Sequence, residues 1–414
     1  MSMDEKKLEA TSSGELAERD FLDKLEGAFR SNIHVAVSLR NLIHRLAEKA
    51  LMRGIGRIVI MDFCGTHEWS IVHFGIRSLM PRNVELVAGP GCPVCVTPSK
   101  YIEYAVKLSF EGITVYTYGD AYRLKSLRPI NGAYSLQEAR SDGASVQVVT
   151  SFIDAIRLAN MSGRESVFLG IGFETVAPGY AVAFKKNIVP GNLAFLSQVK
   201  LTPPAMRLSL ELLMKEKLDY RFGVIAPGHV STITGAKAWS FASEEMGIPV
   251  VIAGFEPIDV LIAIAEILRQ IVNNESKTVI EYRRAVTWSG DEEAQRNINE
   301  VFTTIDDAWR GIGIIPRSGL ELSDRYASHN AFEKYSLKRI SSDDWEYDLP
   351  RGCKCGLVTL GKAKPTDCPL FMKACTPDRP IGPCMVSVEG TCSIWARFGG
   401  GGLADEVARS LEVY

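Results

Sequence analysis

The 414-residue chain lacks an excess of either charge: 47 Lys and Arg stand against 49 Asp and Glu, a formal charge of −2. That balance excludes the basic footprint of a nucleic-acid binder or of a protein held on anionic membranes. A long apolar run is also missing. The best candidate, Val260 to Val272, is broken by Glu266 and Arg269 and falls short of the roughly 20 residues a membrane span needs. The opening MSMDEKKLEATSSGELAERD has no apolar core, so no signal peptide is expected and a cytoplasmic location is. Neither a dinucleotide fingerprint nor a phosphate-binding loop with its lysine occurs, which leaves a nucleotide cofactor without support. No internal repeat is found. What remains is 46% apolar and 23% charged, the composition of a globular protein long enough for more than one domain.

Along the chain, residues 1–30 read as an N-terminal extension and Asn32–Arg53 as an amphipathic helix. Short β-branched runs then alternate with helical patterns. Strands are expected at Arg57–Phe63, Glu85–Ala88, Thr114–Tyr118, Val146–Thr150, Ser166–Ile171, Leu193–Ser197, Phe222–Ile225 and Pro249–Ala253. Helical spacing fills Lys100–Phe110, Ser151–Asn160 and Pro204–Glu216, and Pro257–Glu300 reads as mainly helical. The fold class is therefore α/β, with two similar parallel-sheet α/β domains around a cleft, plus a small cysteine-rich iron–sulfur domain. The expected boundaries are 31–160 for the domain with the Cys64 and Cys92/Cys95 loops, 161–300 for the domain with the Glu174 and His229 loops, and 301–414 for the C-terminal region. A flexible hinge, Gly399–Gly402, precedes a short terminal helix.

Five strands run into glycine- and proline-rich loops: Cys64-Gly65-Thr66-His67-Glu68, Gly89-Pro90-Gly91-Cys92-Pro93-Val94-Cys95, Gly172-Phe173-Glu174-Thr175-Val176-Ala177-Pro178, Ala226-Pro227-Gly228-His229 and Gly254-Phe255-Glu256-Pro257. Ligands of open parallel sheets bind outside the carboxyl ends of the strands, so the five should line one cleft. Each also opens a helix whose free amides favour an anion or thiolate. His67 could accept the Cys64 proton or donate to a ligand, with Glu68 or Asp62 fixing its tautomer. His229 and Glu174 would face the same cleft. The alternatives are an inert buried Cys64 and histidines that merely brace loops.

Six of the nine cysteines, Cys353, Cys355, Cys368, Cys375, Cys384 and Cys392, lie within forty residues, spaced C-x-C-x12-C-x6-C-x8-C-x7-C with no histidine between. Structural zinc sites usually pair ligands two to four residues apart. This spacing fits four thiolates on a cubane cluster with two thiols to spare, while zinc and structural disulfides stay open as alternatives. Cys92-Pro93-Val94-Cys95 is a C-x-x-C at a strand-to-helix turn, read as a redox pair rather than half a zinc site.

The ordered set Cys-Gly-x-His, Gly-Pro-Gly-Cys-Pro-Val-Cys, Gly-Phe-Glu-Thr, Pro-Gly-His-Val and the six-cysteine tail, from about residue 35 to 395, resembles the HypD family of nickel–iron hydrogenase maturation proteins. The tail includes Asp367-Cys368-Pro369, Cys375-Thr376-Pro377 and Gly382-Pro383-Cys384-Met385-Val386-Ser387. The resemblance implies a scaffold on which iron gains two cyanides and one carbon monoxide, working with a HypC-type chaperone and a HypE-type thiocyanate carrier. By the same resemblance Cys64 would bind that iron jointly with a chaperone cysteine, and Cys92 and Cys95 would form an exchangeable dithiol of the cleft. Cys353, Cys368, Cys375 and Cys392 would hold a [4Fe–4S] cluster, with Cys355 and Cys384 an adjacent redox pair. The chain departs from the family pattern at Trp69, where a second loop histidine is usual, and at Val176 and Ala121–Lys125. A stand-alone disulfide reductase of the ferredoxin–thioredoxin reductase type and a zinc-stapled binding scaffold are the competing readings.

Overall fold

The computed structural model describes residues 33–215 and 220–399. The extension expected over 1–30 and the helix expected after residue 402 lie outside them. Eleven strands in these residues form two sheets. The first contains β1 (Ile58–Asp62), β2 (Val84–Ala88), β7 (Arg221–Ala226), β8 (Val250–Ile252) and β9 (Thr278–Ile280), in the order β2-β1-β7-β8-β9 and parallel throughout. The second contains β3 (Thr114–Thr117), β4 (Val146–Val148), β5 (Ser166–Gly172), β6 (Leu193–Lys200), β10 (Phe302–Trp309) and β11 (Gly313–Leu322), in the order β10-β11-β6-β5-β3-β4. Its β4-β3-β5-β6 core is parallel, and the β10–β11 hairpin adds antiparallel to β6. The central strands β1, β5 and β6 are buried along their whole length, as strands covered by helices on both faces must be.

Counted by their own strands, both parallel cores wind two-one-three-four. In such an order the crevice opens where the strand order reverses, beside the first strand. In the first sheet that point lies between β1 and β7, and in the second between β3 and β5.

The α/β class with two similar parallel sheets is what the sequence predicts, and all eight expected strands are present. The boundary at residue 160 does not separate the sheets, however. Residues 31–160 give β1 and β2 to the first sheet but β3 and β4 to the second, and residues 161–300 are divided in the same way. Alternation of strand and helix reports layers, not which sheet each strand joins.

Three strands escaped the pattern. β9 is three residues long, half-buried at a sheet edge and inside the stretch read as helical. The β10–β11 hairpin carries Asp306, Asp307 and Arg310, a register shift between Ile305 and Asp307, and Arg317 at φ 52°, all of which break period-two alternation. Lys200 on β6 and Asp307 on β10 form a buried ion pair at 2.5 Å across this sheet.

The cysteine-rich segment supplies two short helices, Cys355–Thr359 and Thr391–Phe398. Its cysteines share one apolar core with Cys92, Cys95 and the helix Ser99–Phe110, so the segment packs into the body of the molecule.

Candidate functional site

Cys64 ends the loop after β1 and caps the helix Gly65–His73, while Cys92 follows β2 and caps the short helix Pro93–Val96. Glycines let these two turns touch. A Cβ on Gly91 would lie 2.6 Å from the Gly65 nitrogen and 2.8 Å from the Cys64 Cα, and the Gly65 amide donates to the Gly91 carbonyl at 3.0 Å. A third segment closes the site from the tail. A Cβ on Gly65 would sit 2.5 Å from the Glu389 carbonyl oxygen, and one on Gly390 would sit 3.0 Å from the Cys95 Sγ. The result is a small cavity whose wall includes Cys64, Cys92, Cys95, Cys384, Asp62 and Glu389.

Cys92 and Cys95 are joined as a disulfide, with Cα atoms 5.4 Å apart. Cys64 is a free, half-buried thiol. Burial pushes its pKa up to about 11, although the Thr66 and His67 amides at the helix start favour the thiolate. A soft metal ion binds thiolate rather than thiol, so such an ion would displace this proton. Asp62 is buried beside Cys64, and one of its oxygens has no hydrogen-bond partner. Burial, followed by the nearby Glu68 charge, holds its carboxyl well above the usual range. Glu68 itself is buried and paired with Arg77 at 2.8 Å, and it accepts the Trp395 indole N–H, which bolts the Cys64 helix to the helix of Cys392.

The fold arranges the remaining expected residues differently from one another. The His67 Nε2–H donates to the Gly254 carbonyl at 2.9 Å, so this backbone oxygen, and neither Glu68 nor Asp62, sets the tautomer. Burial lowers the His67 pKa to about 4, which leaves a neutral ring whose Nδ1 has no partner. A ring this weakly basic does not take the proton of a thiol at about 11. His67 stacks on Phe255 at 4.7 Å and Phe255 on the exposed His229 at 4.0 Å, so the loops after β1, β7 and β8 do meet. Glu174, on the second sheet, is engaged elsewhere. Its carboxylate accepts the Thr202 amide at 2.6 Å and the Thr202 hydroxyl, and burial raises its pKa to about 7. It does not line the thiol cavity.

All six tail cysteines are buried. The Sγ atoms of Cys355, Cys384 and Cys392 lie within 4.8 Å of one another. Cys353 adjoins them: a Cβ on Gly382 would fall 2.6 Å from the Cys353 Sγ and 2.8 Å from the Cys355 Sγ. Backbone amides point at the sulfurs, from Cys355 to Cys353 at 3.4 Å, from Ile381 to Cys375 at 3.3 Å and from Cys392 to Cys384 at 3.3 Å. Hydrogen bonds from the Cys355 and Cys392 thiols hold Cys384 well below its ordinary pKa, and the same sharing, first with Cys353, pushes Cys355 up. An all-sulfur donor set, glycine where a side chain would intrude, and amides aimed at sulfur fit a thiolate-bound metal centre. The triad mixes Cys392 with Cys355 and Cys384, so the thiols do not fall into a ligand quartet and a separate pair by distance alone.

Two residues with a visible role were not singled out. Asp120, after β3, accepts the Ser387 hydroxyl at 2.7 Å and the Val388 amide at 3.3 Å, and so seats the tail loop that carries Glu389. Arg310 sits in the unread hairpin. The signal for Asp120 was present as Gly-Asp at a strand end.

The family model described as "HypD: Hydrogenase formation hypA family" matches residues 36–399. A hydrogenase expression/formation protein of Methanocaldococcus jannaschii is 42% identical over 359 residues, covering 86% of this chain and 95% of that protein. A hydrogenase maturation factor HypD of Cupriavidus necator is 39% identical over 352 residues, with 83% and 90% covered. One from Rhizobium leguminosarum is 40% identical over 347 residues, with 81% and 87% covered. No helix among the described residues is long and apolar enough to cross a membrane.

Proposed function

The chain belongs to the HypD family of hydrogenase maturation factors, and on that premise we propose that it is the scaffold on which the iron of a nickel–iron hydrogenase acquires two cyanides and one carbon monoxide. The observation that carries this reading is the convergence of Cys64, the Cys92–Cys95 pair and Cys384 on one cavity.

In this reading Cys64 is the chain's thiolate to the cargo iron, shared with a cysteine of a HypC-type chaperone, and a HypE-type partner brings the cyano group as a thiocyanate. Releasing cyanide from a thiocyanate is a two-electron reduction. The reduced Cys92/Cys95 dithiol supplies it: R–S–C≡N and the two thiols give R–SH, HCN and the Cys92–Cys95 disulfide. The S–C bond breaks, the S–S bond forms, and the two thiol protons go to the departing thiolate and to cyanide. Cys353, Cys368, Cys375 and Cys392 would hold a [4Fe–4S] cluster, with Cys355 and Cys384 as the neighbouring pair. That cluster, when bound, supplies single electrons. His67 and His229, braced by Phe255, shape the mouth of the cleft as neutral groups, and Glu174 fixes the start of the helix Thr202–Met214.

The test is Cys64→Ala, co-purified with its chaperone under anaerobic conditions. The nitrile and carbonyl infrared bands should vanish while tail iron, about four per chain, is retained. Bands that persist would remove Cys64 as the iron ligand. A colourless protein with stoichiometric zinc would remove the cluster. The disulfide against the tail cysteines also supports a second reading, a stand-alone disulfide reductase, in which Cys64→Ala would leave activity intact.

A further inference from the structure

Arg310 is a fully buried cation in the β10–β11 turn, 2% exposed, in a segment with no part in the mechanism above. Its backbone amide donates to the Val96 carbonyl at 2.7 Å, one residue beyond Cys95. The next residue, Gly311, is wedged on Gly356, which follows Cys355: a Cβ on Gly311 would sit 3.1 Å from the Gly356 Cα. The turn thus lies between the dithiol loop and the first tail cysteines.

The guanidinium donates to two neutral carbonyls, Asp348 O at 2.8 Å and Lys125 O at 2.9 Å. The acidic groups that act on it electrostatically are Asp348 first, then Cys355, Cys353 and Glu103, the two cysteines carrying charge once they are thiolate ligands. The Asp348 carboxylate is 3.8 Å away and is itself bound by the Ser99 amide and hydroxyl, while Glu103 is paired with Lys100. Much of the negative charge near Arg310 is therefore occupied by other donors. A buried cation left partly uncompensated beside sulfur ligands stabilises whichever redox state carries more negative charge.

We propose that Arg310 is a positioning residue that raises the reduction potential of the tail metal centre, with Asp348 as its moderating counter-charge. The inference rests on the cluster reading above. One-electron reduction adds one negative charge to the thiolate-bound centre, and Arg310 stabilises that charge without touching the cleft.

The experiment is a spectroscopically monitored redox titration of anaerobically prepared full-length protein carrying Arg310→Met, Arg310→Lys or Asp348→Asn. Arg310→Met should lower the potential enough to cut the reduced-to-oxidised ratio at fixed poise about tenfold, which is 59 mV for one electron. Arg310→Lys should restore most of it, and Asp348→Asn should shift it upward. Should Arg310→Met fail to hold iron, the upward shift of Asp348→Asn relative to the wild type still decides the matter. Potentials that do not move in iron-loaded Arg310→Met and Asp348→Asn, or that move the same way in both, would overturn the role of Arg310 and leave only a structural one. An iron-free wild-type protein would overturn the cluster reading together with this inference.

Discussion

At the switch point of the first sheet the loop after β1 presents Cys64, whereas at the same point of the second sheet the loop after β3 presents Asp120. The two parallel cores share one winding order, yet Cys64 faces a cavity and Asp120 faces Ser387 and Val388 of the tail. The loops after the third strands differ likewise: His229 is exposed at the cleft, while Glu174 is sealed against Thr202. One sheet lines the thiol cavity and the other holds the tail against it. Topology supplies the crevice, and the residues at the strand ends decide its use.

This division is open to tests that should affect the two sheets differently. The largest effect on stability belongs to the second sheet. Lys200→Met takes the close cation from buried Asp307, leaving it only Arg339 at 3.8 Å, and should cost about 3 kcal/mol in urea unfolding, with much of the loss recovered when Asp307→Leu is added. A Cys64→Ala variant unfolding at the same urea concentration as the Lys200→Met variant would erase the distinction.

Next comes Glu174. Burial raises its carboxyl to about 7, so the native state keeps a proton that the unfolded chain, titrating near 4.5, has released. The stability from this group is full below about pH 4.5 and is lost as pH rises through about 7, a difference of about 3 kcal/mol. Glu174→Gln should therefore lie within about 1 kcal/mol of the wild type at pH 5 and exceed it by about 3 kcal/mol at pH 8 in chemical denaturation. Equal stability at both values would mean that Glu174 ionises freely and faces water.

Gly91→Ala should cost about 1–3 kcal/mol, because its new methyl meets the backbone of Cys64 and Gly65. It should also weaken the infrared bands of the chaperone complex, a loss that Lys200→Met would not cause once corrected for folded fraction. The smallest effect is expected from Asp120→Ala, about 1 kcal/mol for two partly exposed hydrogen bonds, read as faster hydrogen exchange at the Val388 amide. An unchanged exchange rate would show that the tail loop is held by other contacts.

Much of the fold was legible because parallel strands buried on both faces are continuous apolar runs, such as Ile58-Val59-Ile60-Met61 and Ser166–Ile171. The hairpin was not legible, since Asp307 and Arg310 are tolerable there only beside Lys200 and the tail. The thiol loops were readable from glycines next to cysteines. His67 was misread in its partner, because the Gly254 carbonyl is 187 residues away in sequence.

The sequence by itself determined the α/β class, the helix-opening loops and the set of nine cysteines, all of which rest on local periodicity and residue chemistry. Only the tertiary structure decided that β1 pairs with β7 from beyond residue 220, that Glu174 braces a helix, and that Cys384 reaches the cavity of Cys64. Those outcomes depend on which distant surfaces exclude water together, and no local pattern records that.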